Sequence, residues 1–183
     1  MVEKERIPVR FFGSGVCSDM TREEITVIRK GRAKILRWLR KHGVPVSKRQ
    51  IGDYEWDGET LATGGRANYD ILHDGCHYLI ATKARRKLID FGLGKGPDSG
   101  KCSKRVMTDD RAHLEEAACC RFTAMVTMDI GGDWKWGLQH TGYNNTADYT
   151  KAMCLTQQRK ILRFLSNPQE FEKRLWSYSA GME

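Results

Sequence analysis

The stretch NYDILHDGCHYLIATKARRKLIDF, residues 68–91, decides the predicted fold. At its centre the Asp-Gly dipeptide at 74–75 separates two segments of alternating side chains, and such a connection is among the strongest signals of a β-hairpin. Successive side chains of a strand point to opposite faces of a sheet, so one face would gather Asp70, Ala81 and Lys83. The other face would carry the apolar side chains Tyr69, Ile71, Tyr78 and Ile80. The sequence therefore predicts a sheet with a polar site on one face.

The flanking segments predict further helices and strands within one domain. Residues 21–43 have the signature of a helix, with Thr21 and Glu24 as a capping box and Gly43 as a stop. The other expected elements are a strand at 44–52, a helix that begins at the cap Thr108, a buried strand at 122–130 and two C-terminal helices broken before Pro168. The expected organisation is an irregular lead-in at 1–20, a core at 21–133 and an aromatic loop with a helical extension at 134–183.

The order helix, strand, hairpin, helix, strand resembles the restriction-endonuclease-like PD-(D/E)XK superfamily, in particular the Holliday-junction resolvases and the VRR-NUC nucleases. The residues that carry the resemblance are Glu24 on the first helix, Asp70 on the hairpin and the strand end Ile80-Ala81-Thr82-Lys83. The resemblance covers residues 21–130. It implies an α/β fold with a mixed sheet flanked by helices, followed here by a helical C-terminal extension. It also implies a Mg²⁺- or Mn²⁺-dependent DNA endonuclease that works as a homodimer.

The same resemblance implies a role for each polar residue. Asp70 would be the principal metal ligand, Glu24 a supporting acid and second ligand, and Lys83 the catalytic lysine. Phosphodiester hydrolysis needs a hard cation that neutralises charge on phosphate and activates water, and carboxylates bind such a cation. Each residue also has an ordinary structural explanation, and Glu24 is already explained as the capping-box acid.

Ala81 departs from the family pattern, because it occupies the position of an acid and cannot coordinate metal. Three explanations stay open: an engineered inactivating substitution, a carboxylate supplied from elsewhere, such as Glu59 or Asp90, or a natural protein that binds DNA without cutting it. The intact Asp70 and Lys83 favour the first explanation, and we expect Ala81→Glu to restore or raise Mg²⁺-dependent cleavage.

The net charge indicates a polyanionic partner. The chain of 183 residues has 31 Lys and Arg against 23 Asp and Glu, which gives +8 and a pI near 9.3. Neutralising phosphates with such a surface releases counterions and favours binding to DNA. Ordinary solvation of the cations is the alternative, as is core packing for at least one tryptophan. The candidate nucleic-acid-binding residues are Lys34, Arg37, Lys41, Arg85, Arg86, Lys87, Lys95, Lys101, Lys104, Arg105, Trp134 and Trp136.

A non-enzymatic winged-helix DNA-binding protein is the alternative function. Residues 25–42 would form its first helix, 47–54 the second, the region around 64–74 the recognition helix and 77–91 the wing. The discriminating feature is the backbone at 66–73, where a helix favours the winged protein and a strand favours the nuclease.

The hydropathy of the chain and its cysteines indicate where in the cell the protein is expected and in which redox state. No apolar run approaches the roughly 20 residues that cross a bilayer, and the start MVEKERIPVR lacks a secretory apolar stretch, so we expect a cytoplasmic protein without a membrane partner. The six cysteines are therefore expected to be reduced. The alternative is a zinc site drawn from His73, Cys76, His77, His113, Cys119 and Cys120. Because no C-x₂-C pair is present, buried structural thiols are favoured over zinc.

Overall fold

The computed structural model describes the backbone of residues 6–10, 17–50, 54–94, 104–134, 160–171 and 173–174, and the side chains from residue 29 onward. Helices and strands are mixed, which confirms an α/β protein at the coarse level. The elements are β1 (Arg6–Arg10), β2 (Cys17–Thr21), α1 (Arg22–Lys41), β3 (Val46–Gln50), β4 (Leu61–Gly64), α2 (Asn68–Ile80), two 3-10 turns (Arg85–Lys87 and Ile89–Gly92) and α3 (Asp109–Asp129).

The described strands form two separate two-stranded sheets. β1 and β2 pair in antiparallel fashion, whereas β3 and β4 run parallel with Val46 opposite Leu61. The strand expected at 44–52 is thus confirmed in β3. The prediction of an irregular lead-in at 1–20 was wrong, because β1 and most of β2 lie within it.

Helix α1 confirms the first predicted helix. It ends at Lys41, and Gly43 follows with a φ of 76°. This left-handed conformation is the usual way in which a glycine terminates a helix. On the buried side of α1, Leu39 packs against α2 at Gly75.

The hairpin predicted at 68–83 was wrong, because residues 68–80 form helix α2. Leu72, Cys76 and Leu79 follow one another at helical spacing, and all three are buried. Gly75 lies inside the helix, where the absence of a Cβ lets Leu39 of α1 approach. Burial against two neighbouring helices therefore outweighs the local turn preference of the Asp-Gly pair.

The strand predicted at 122–130 was also wrong, since α3 continues to Asp129. An apolar run of this length is equally compatible with a buried helix, and the hydroxyl groups of Thr123 and Thr127 donate to the carbonyl oxygens four residues earlier. The start of the helix was predicted correctly, because the Thr108 side chain accepts a hydrogen bond from the backbone N–H of Arg111.

The backbone required by the winged-helix alternative is present only in part. Helix α2 overlaps the expected recognition helix from residue 68 onward, so the discriminating backbone favours the winged protein over the hairpin. The expected second helix at 47–54, however, begins as β3. The expected wing at 77–91 consists of the end of α2 and the two 3-10 turns. The described backbone therefore has no hairpin where the wing was expected.

Residues near the C-terminus complete the core. A helical turn at 160–162 is followed by a non-helical segment, and the chain is helical again from Pro168, as expected. Ile161 and Phe171 are fully buried, and Trp134 packs against the Phe171 ring with a centroid distance of 5.5 Å. Among the described helices, none is long and apolar enough to cross a membrane.

Candidate metal centre on helices α2 and α3

Helices α2 and α3 place four potential metal ligands against one another. His73 and His77 are four residues apart on α2, so both imidazoles lie on the same face of the helix. Glu116 and Cys119 are three residues apart on the opposing face of α3. Because the two pairs face each other, the helix packing itself brings the four side chains together.

The two imidazoles and the Glu116 carboxylate form a nearly equilateral triangle. The Nε2 atoms of His73 and His77 are 3.1 Å apart, and Oε2 of Glu116 lies 3.1 Å from the first and 3.2 Å from the second. Zinc binds nitrogen and oxygen at about 2.0–2.1 Å, which separates neighbouring ligands by about 3.4 Å in tetrahedral geometry and about 2.9 Å at 90°. The observed separations lie between these two values.

Hydrogen bonds within the triangle can satisfy at most two of its three sides. An ionised carboxylate has no hydrogen to donate, and each imidazole nitrogen carries at most one. If both His73 and His77 donate to Glu116, their two N–H groups face each other at 3.1 Å. A cation bound by His73, His77 and Glu116 would remove this conflict, because each of the three atoms would then offer it a lone pair.

Cys119 lies beside the two histidines. Each of His73, His77 and Cys119 offers a ligand atom within 4.8 Å of the others, and the thiol is fully buried. The Cys119 thiol donates to the carbonyl oxygen of His73 at 3.1 Å. Burial and the neighbouring Cys76 raise its pKa well above the usual value for a thiol. Cys119 is therefore either a fourth ligand or a thiol packed behind the other three.

The second nitrogen of each imidazole faces a further polar group. Nδ1 of His73 lies 3.4 Å from the hydroxyl of Tyr69, and Nδ1 of His77 lies 3.6 Å from Oε1 of Glu115. Both Glu115 oxygens accept hydrogen bonds from Arg85, at 2.6 and 2.7 Å. Burial raises the pKa of Glu115, but His77 and Arg85 lower it to about 2. The 3.6 Å separation at His77 is too long for a hydrogen bond, and its Nδ1 atom is buried without a hydrogen-bond partner among the described residues. Metal-binding histidines commonly donate this second N–H to an oxygen that fixes the ring and its tautomer, and Tyr69 and Glu115 offer such oxygens.

The pKa shifts of His73, His77 and Glu116 all favour a positive charge between the two imidazoles and the carboxylate. Burial lowers the pKa of His77, but the charge of Glu116 and the nearby Glu115 raise it to about 10. For His73, hydrogen bonds with Cys120 and Glu116 outweigh burial and raise the pKa well above its usual value. Burial raises the pKa of Glu116, whereas the charge of His77 and the bond from His73 bring it well below the usual range. Protonated imidazoles or a metal cation would supply the charge.

Two aromatic rings, Phe91 and Trp56, form a stack that covers one face of the His77 ring. The Phe91 ring stacks on His77 at 5.8 Å and on Trp56 at 5.1 Å. Asp90 and Phe91 have φ angles of 50° and 53°, a conformation that costs energy in residues other than glycine. Arg85 donates to the Phe91 carbonyl at 2.9 Å and so ties this strained turn to the cluster.

Asp74 lies at the edge of the cluster. The segment His73-Asp74-Gly75-Cys76-His77 matches the H-E-x-x-H metal-binding pattern except for Asp in place of Glu. Burial raises the Asp74 pKa to about 7. Its Oδ2 atom is buried without a hydrogen-bond partner among the described residues. Asp74 is therefore the free carboxyl group nearest to the histidines along the chain.

Asp70 and Lys83, which the predicted hairpin would place side by side, lie apart in the structure. Asp70 lies in the first turn of α2 with its carboxylate 3.6 Å from Nε of Arg66. About 15 Å of helix separates it from the end of α2, and the exposed Lys83 lies three residues beyond that end. Ala81 caps α2 and is buried. Glu24 belongs to the first turn of α1, and its side chain lies outside the described residues.

The predicted nucleic-acid-binding residues fall into distinct groups. Lys34, Arg37, Lys41, Lys87 and Lys104 are exposed. Three arginines instead make internal contacts: Arg85 binds Glu115, Arg86 donates to the Tyr78 carbonyl and covers its ring, and Arg105 pairs with Asp109. Trp134 is buried, as the core-packing alternative expected for one tryptophan. The expectations for Lys95, Lys101 and Trp136 fall outside the described residues.

Comparison of the chain with protein-family models, curated proteins and solved structures finds no match. The described cysteines fit the preference for buried structural thiols, and the zinc alternative also keeps support. Cys76, Cys119 and Cys120 are buried and free, as expected, but Cys119 also belongs to a group that could hold a metal ion. Sequence reasoning missed Glu116, Glu115 and the role of Arg85. The H-x₃-H spacing at 73–77 was the signal that could have revealed the site.

Proposed function

We propose that the protein is a metal-dependent hydrolase whose divalent transition metal is bound by His73, His77 and Glu116. The observation that carries this proposal is the triangle of two imidazole nitrogens and one carboxylate oxygen, with sides of 3.1–3.2 Å. Two histidines and one carboxylate are the protein ligands of several catalytic zinc sites, which keep a further position open for water.

The charges around the triangle favour an anionic fourth ligand. Glu115 and Arg85 neutralise each other. A divalent cation with neutral His73, neutral His77 and ionised Glu116 therefore keeps one net positive charge. In such a site the metal lowers the pKa of bound water and polarises the bond under attack. The residual charge would attract hydroxide or an anionic group of the substrate.

Access to the site is from the Glu116 side. The Glu116 side chain is 34% exposed and that of His73 is 16% exposed, whereas His77 is almost completely buried at 3%. Phe91 and Trp56 cover the His77 side and keep water away from it. Substrate would consequently approach past Glu116. Asp74 is influenced by the charges of His73 and His77, and it is the candidate for the proton transfer that Glu performs in H-E-x-x-H sites.

Oxygen chemistry is the second candidate. Two histidines and one carboxylate on one side of a metal are also the ligand set of non-haem Fe(II) oxygenases. The separations of 3.1–3.2 Å lie between the values for tetrahedral and octahedral metals, so they favour neither class over the other. We favour the hydrolase over the oxygenase because the Asp74 carboxyl group could transfer a proton during hydrolysis.

DNA cleavage at Asp70, Glu24 and Lys83 with Mg²⁺ stays a prediction from the family resemblance. It would require the segment 68–83 to form a hairpin rather than α2. The histidine cluster needs no such rearrangement, and it supplies nitrogen donors that suit zinc or iron better than magnesium. A phosphodiester therefore enters the proposal as one candidate substrate of the histidine site.

Metal analysis of the purified protein tests the site. We expect one zinc or iron ion per chain, and a decrease in occupancy of at least about tenfold in His73→Ala and Glu116→Gln, because each removes one of three ligands. His113→Ala and Glu59→Gln are the matched controls, since both residues are exposed and neither belongs to the triangle. Normal occupancy in Glu116→Gln would contradict the proposal.

Activity then distinguishes the two chemistries. The zinc-loaded protein is assayed against ester, amide and phosphodiester substrates, and the Fe(II)-loaded protein is assayed for oxygen consumption. Hydrolysis that disappears in Glu116→Gln but survives in Glu59→Gln supports the hydrolase. Oxygen consumption with the same dependence on Glu116, and no hydrolysis, would support the oxygenase instead.

A further inference from the structure

The outer face of α1 is a continuous cationic surface. Six of its basic residues are exposed, and we call them the α1 cationic face: Arg29, Lys30, Lys34, Arg37, Arg40 and Lys41. At 100° per residue they occupy an arc of about 140°, and at 1.5 Å per residue they extend over about 18 Å. Their arc lies opposite the buried residues Ile35, Trp38 and Leu39. The face therefore points away from the core and from α2.

Among the described side chains of α1 no acid neutralises this face, because residues 29–41 contain no Asp or Glu. None of the six cations forms an ion pair with a residue that the structure describes. Other arginines are used internally. Arg32 donates to the carbonyl oxygens of Thr63 and Arg66, and Arg85 binds Glu115. The α1 cationic face thus carries several neighbouring positive charges that have no ion-pair partner among the described residues.

The composition of the face argues against a membrane as its partner. Helices that lie on membranes insert large apolar side chains beside their cations. Within residues 29–41 of α1, Ile35, Trp38 and Leu39 are buried and Leu36 is half-buried, and the exposed large apolar residues elsewhere in the described part of the chain are Ile89, Val106 and Leu114. A protein partner would call for aromatic or apolar contacts at the centre of the interface, and the α1 cationic face has none.

We propose that the α1 cationic face binds the sugar–phosphate backbone of a nucleic acid. Lys and Arg side chains neutralise phosphates, and the face lacks the Asn, Gln or aromatic side chains that would read or stack on bases. Binding is therefore insensitive to base sequence and strongly sensitive to salt. The proposal does not depend on the metal centre, which lies between α2 and α3.

Salt-dependent binding measures how many of these cations contact phosphate. Each phosphate contact contributes about 0.9 to the slope of log K against log salt for duplex DNA, and about 0.7 for a single strand. If all six contribute, the affinity for duplex DNA falls by about 10³-fold between 50 and 200 mM salt. The triple variant Lys34→Ala, Arg37→Ala, Lys41→Ala should fall by only about 40-fold over the same range, because three contacts remain.

The matched control removes the same charge from another surface. Lys48, Arg111 and Arg163 are exposed, lie outside α1 and are not among the predicted nucleic-acid-binding residues, so their triple replacement by alanine lowers the net charge equally. Fluorescence anisotropy is measured with labelled duplex DNA, duplex RNA and single-stranded DNA of unrelated sequences, and with anionic phospholipid vesicles. The control should keep the wild-type slope within about one phosphate contact. Lys34→Arg, Arg37→Lys, Lys41→Arg should also keep it, since the charges are retained.

Three outcomes would overturn the proposal. The first is a wild-type protein that binds none of the nucleic acids at 50 mM salt. The second is an equal loss of slope in the α1 triple variant and in its control, which would indicate attraction by net charge alone. The third is binding to the anionic vesicles and not to nucleic acid. Circular dichroism of each variant checks that helix content is unchanged, and substitutions at exposed positions are not expected to alter it.

Discussion

Gly75→Ala provides a sensitive test of the backbone that creates the metal centre. In a helix interior, replacing glycine by alanine normally stabilises the protein by about 1 kcal/mol. At Gly75, however, a Cβ atom would lie 3.1 Å from Cδ1 and 3.3 Å from Cγ of Leu39, and closer still to Cδ2. Carbon atoms in ordinary contact are about 3.5–4.0 Å apart. The alanine would therefore overlap a fully buried side chain.

The two effects have opposite signs, and the packing term is the larger. Overpacking a core typically costs about 1–3 kcal/mol. Subtracting a helix-propensity gain of about 1 kcal/mol leaves a net destabilisation of about 0–2 kcal/mol. Gly31 in α1 is the matched control, because its Cβ would meet Nδ2 of Asn68 at 3.5 Å, an ordinary contact. Gly31→Ala should stabilise the protein by about 1 kcal/mol.

A double-mutant cycle with Leu39→Ala separates the two terms. Leu39→Ala alone should destabilise the protein by about 2–5 kcal/mol, because it leaves a cavity in the core. In that background the space beside Gly75 is empty, so Gly75→Ala should stabilise the protein by about 1 kcal/mol. The difference between the two backgrounds is the coupling energy of the α1–α2 contact, about 1–3 kcal/mol.

Urea unfolding followed by far-UV circular dichroism measures each variant, with the slope m checked for a constant unfolded state. A hairpin at 68–83 predicts a different pattern, because the glycine of an Asp-Gly turn needs a positive φ that alanine disfavours with or without Leu39. Equal destabilisation by Gly75→Ala in both backgrounds would therefore refute α2 and restore the hairpin.

Three further predictions concern single residues outside the triangle of His73, His77 and Glu116. Arg85→Ala removes both short hydrogen bonds to the buried Glu115 carboxylate and leaves it with His77 at 3.6 Å, so it should destabilise the protein by about 3–5 kcal/mol in urea unfolding, and Arg85→Lys should recover part of the loss. Burial raises the Asp57 pKa, but hydrogen bonds from two backbone N–H groups and the charge of Arg49 outweigh it and bring the folded-state pKa below the usual value. Asp57 therefore contributes stability above about pH 4 that is lost as the pH falls through its folded pKa, and thermal unfolding of Asp57→Ala should show less stability at pH 7 and less dependence on pH below 4. Thr108→Ala removes the N-cap of α3 and should cost about 1 kcal/mol, whereas an unchanged unfolding midpoint would show that the cap is dispensable.

The sequence predicted those elements whose signals are local. The capping pattern and Gly43 located α1, and Thr108 located the start of α3. It failed at 68–80, where an equally local signal, the Asp-Gly pair, is overridden by the burial of α2 between two other helices. The contact between Leu39 and Gly75 joins two distant parts of the chain, so it cannot be predicted from residues 68–83 alone.

The candidate site was harder to predict because its ligands come from distant parts of the chain. His77 and Glu116 are 39 residues apart, and they meet only when α2 and α3 pack together. The same holds for Arg85, which looks like one of a run of solvated cations but binds Glu115 thirty residues away. An arginine is internal when it pairs with a buried carboxylate, as Arg85 does with Glu115. The residues adjacent to Glu115 in the sequence do not show that its carboxylate will be buried.

The alternative between hairpin and helix at 68–80 is also an alternative between two kinds of metal. A hairpin would place Asp70 beside Lys83 and offer oxygen ligands, which suit Mg²⁺. A helix directs Asp70 towards Arg66 and aligns His73 with His77, so that nitrogen ligands suit zinc or iron. Two independent measurements therefore test whether residues 68–80 form a helix. One is the identity of the bound metal, and the other is the sign of the stability change caused by Gly75→Ala in the Leu39→Ala background. Agreement between them would tie the chemistry of the site to the close approach of α1 and α2, although neither helix contributes the Glu116 carboxylate.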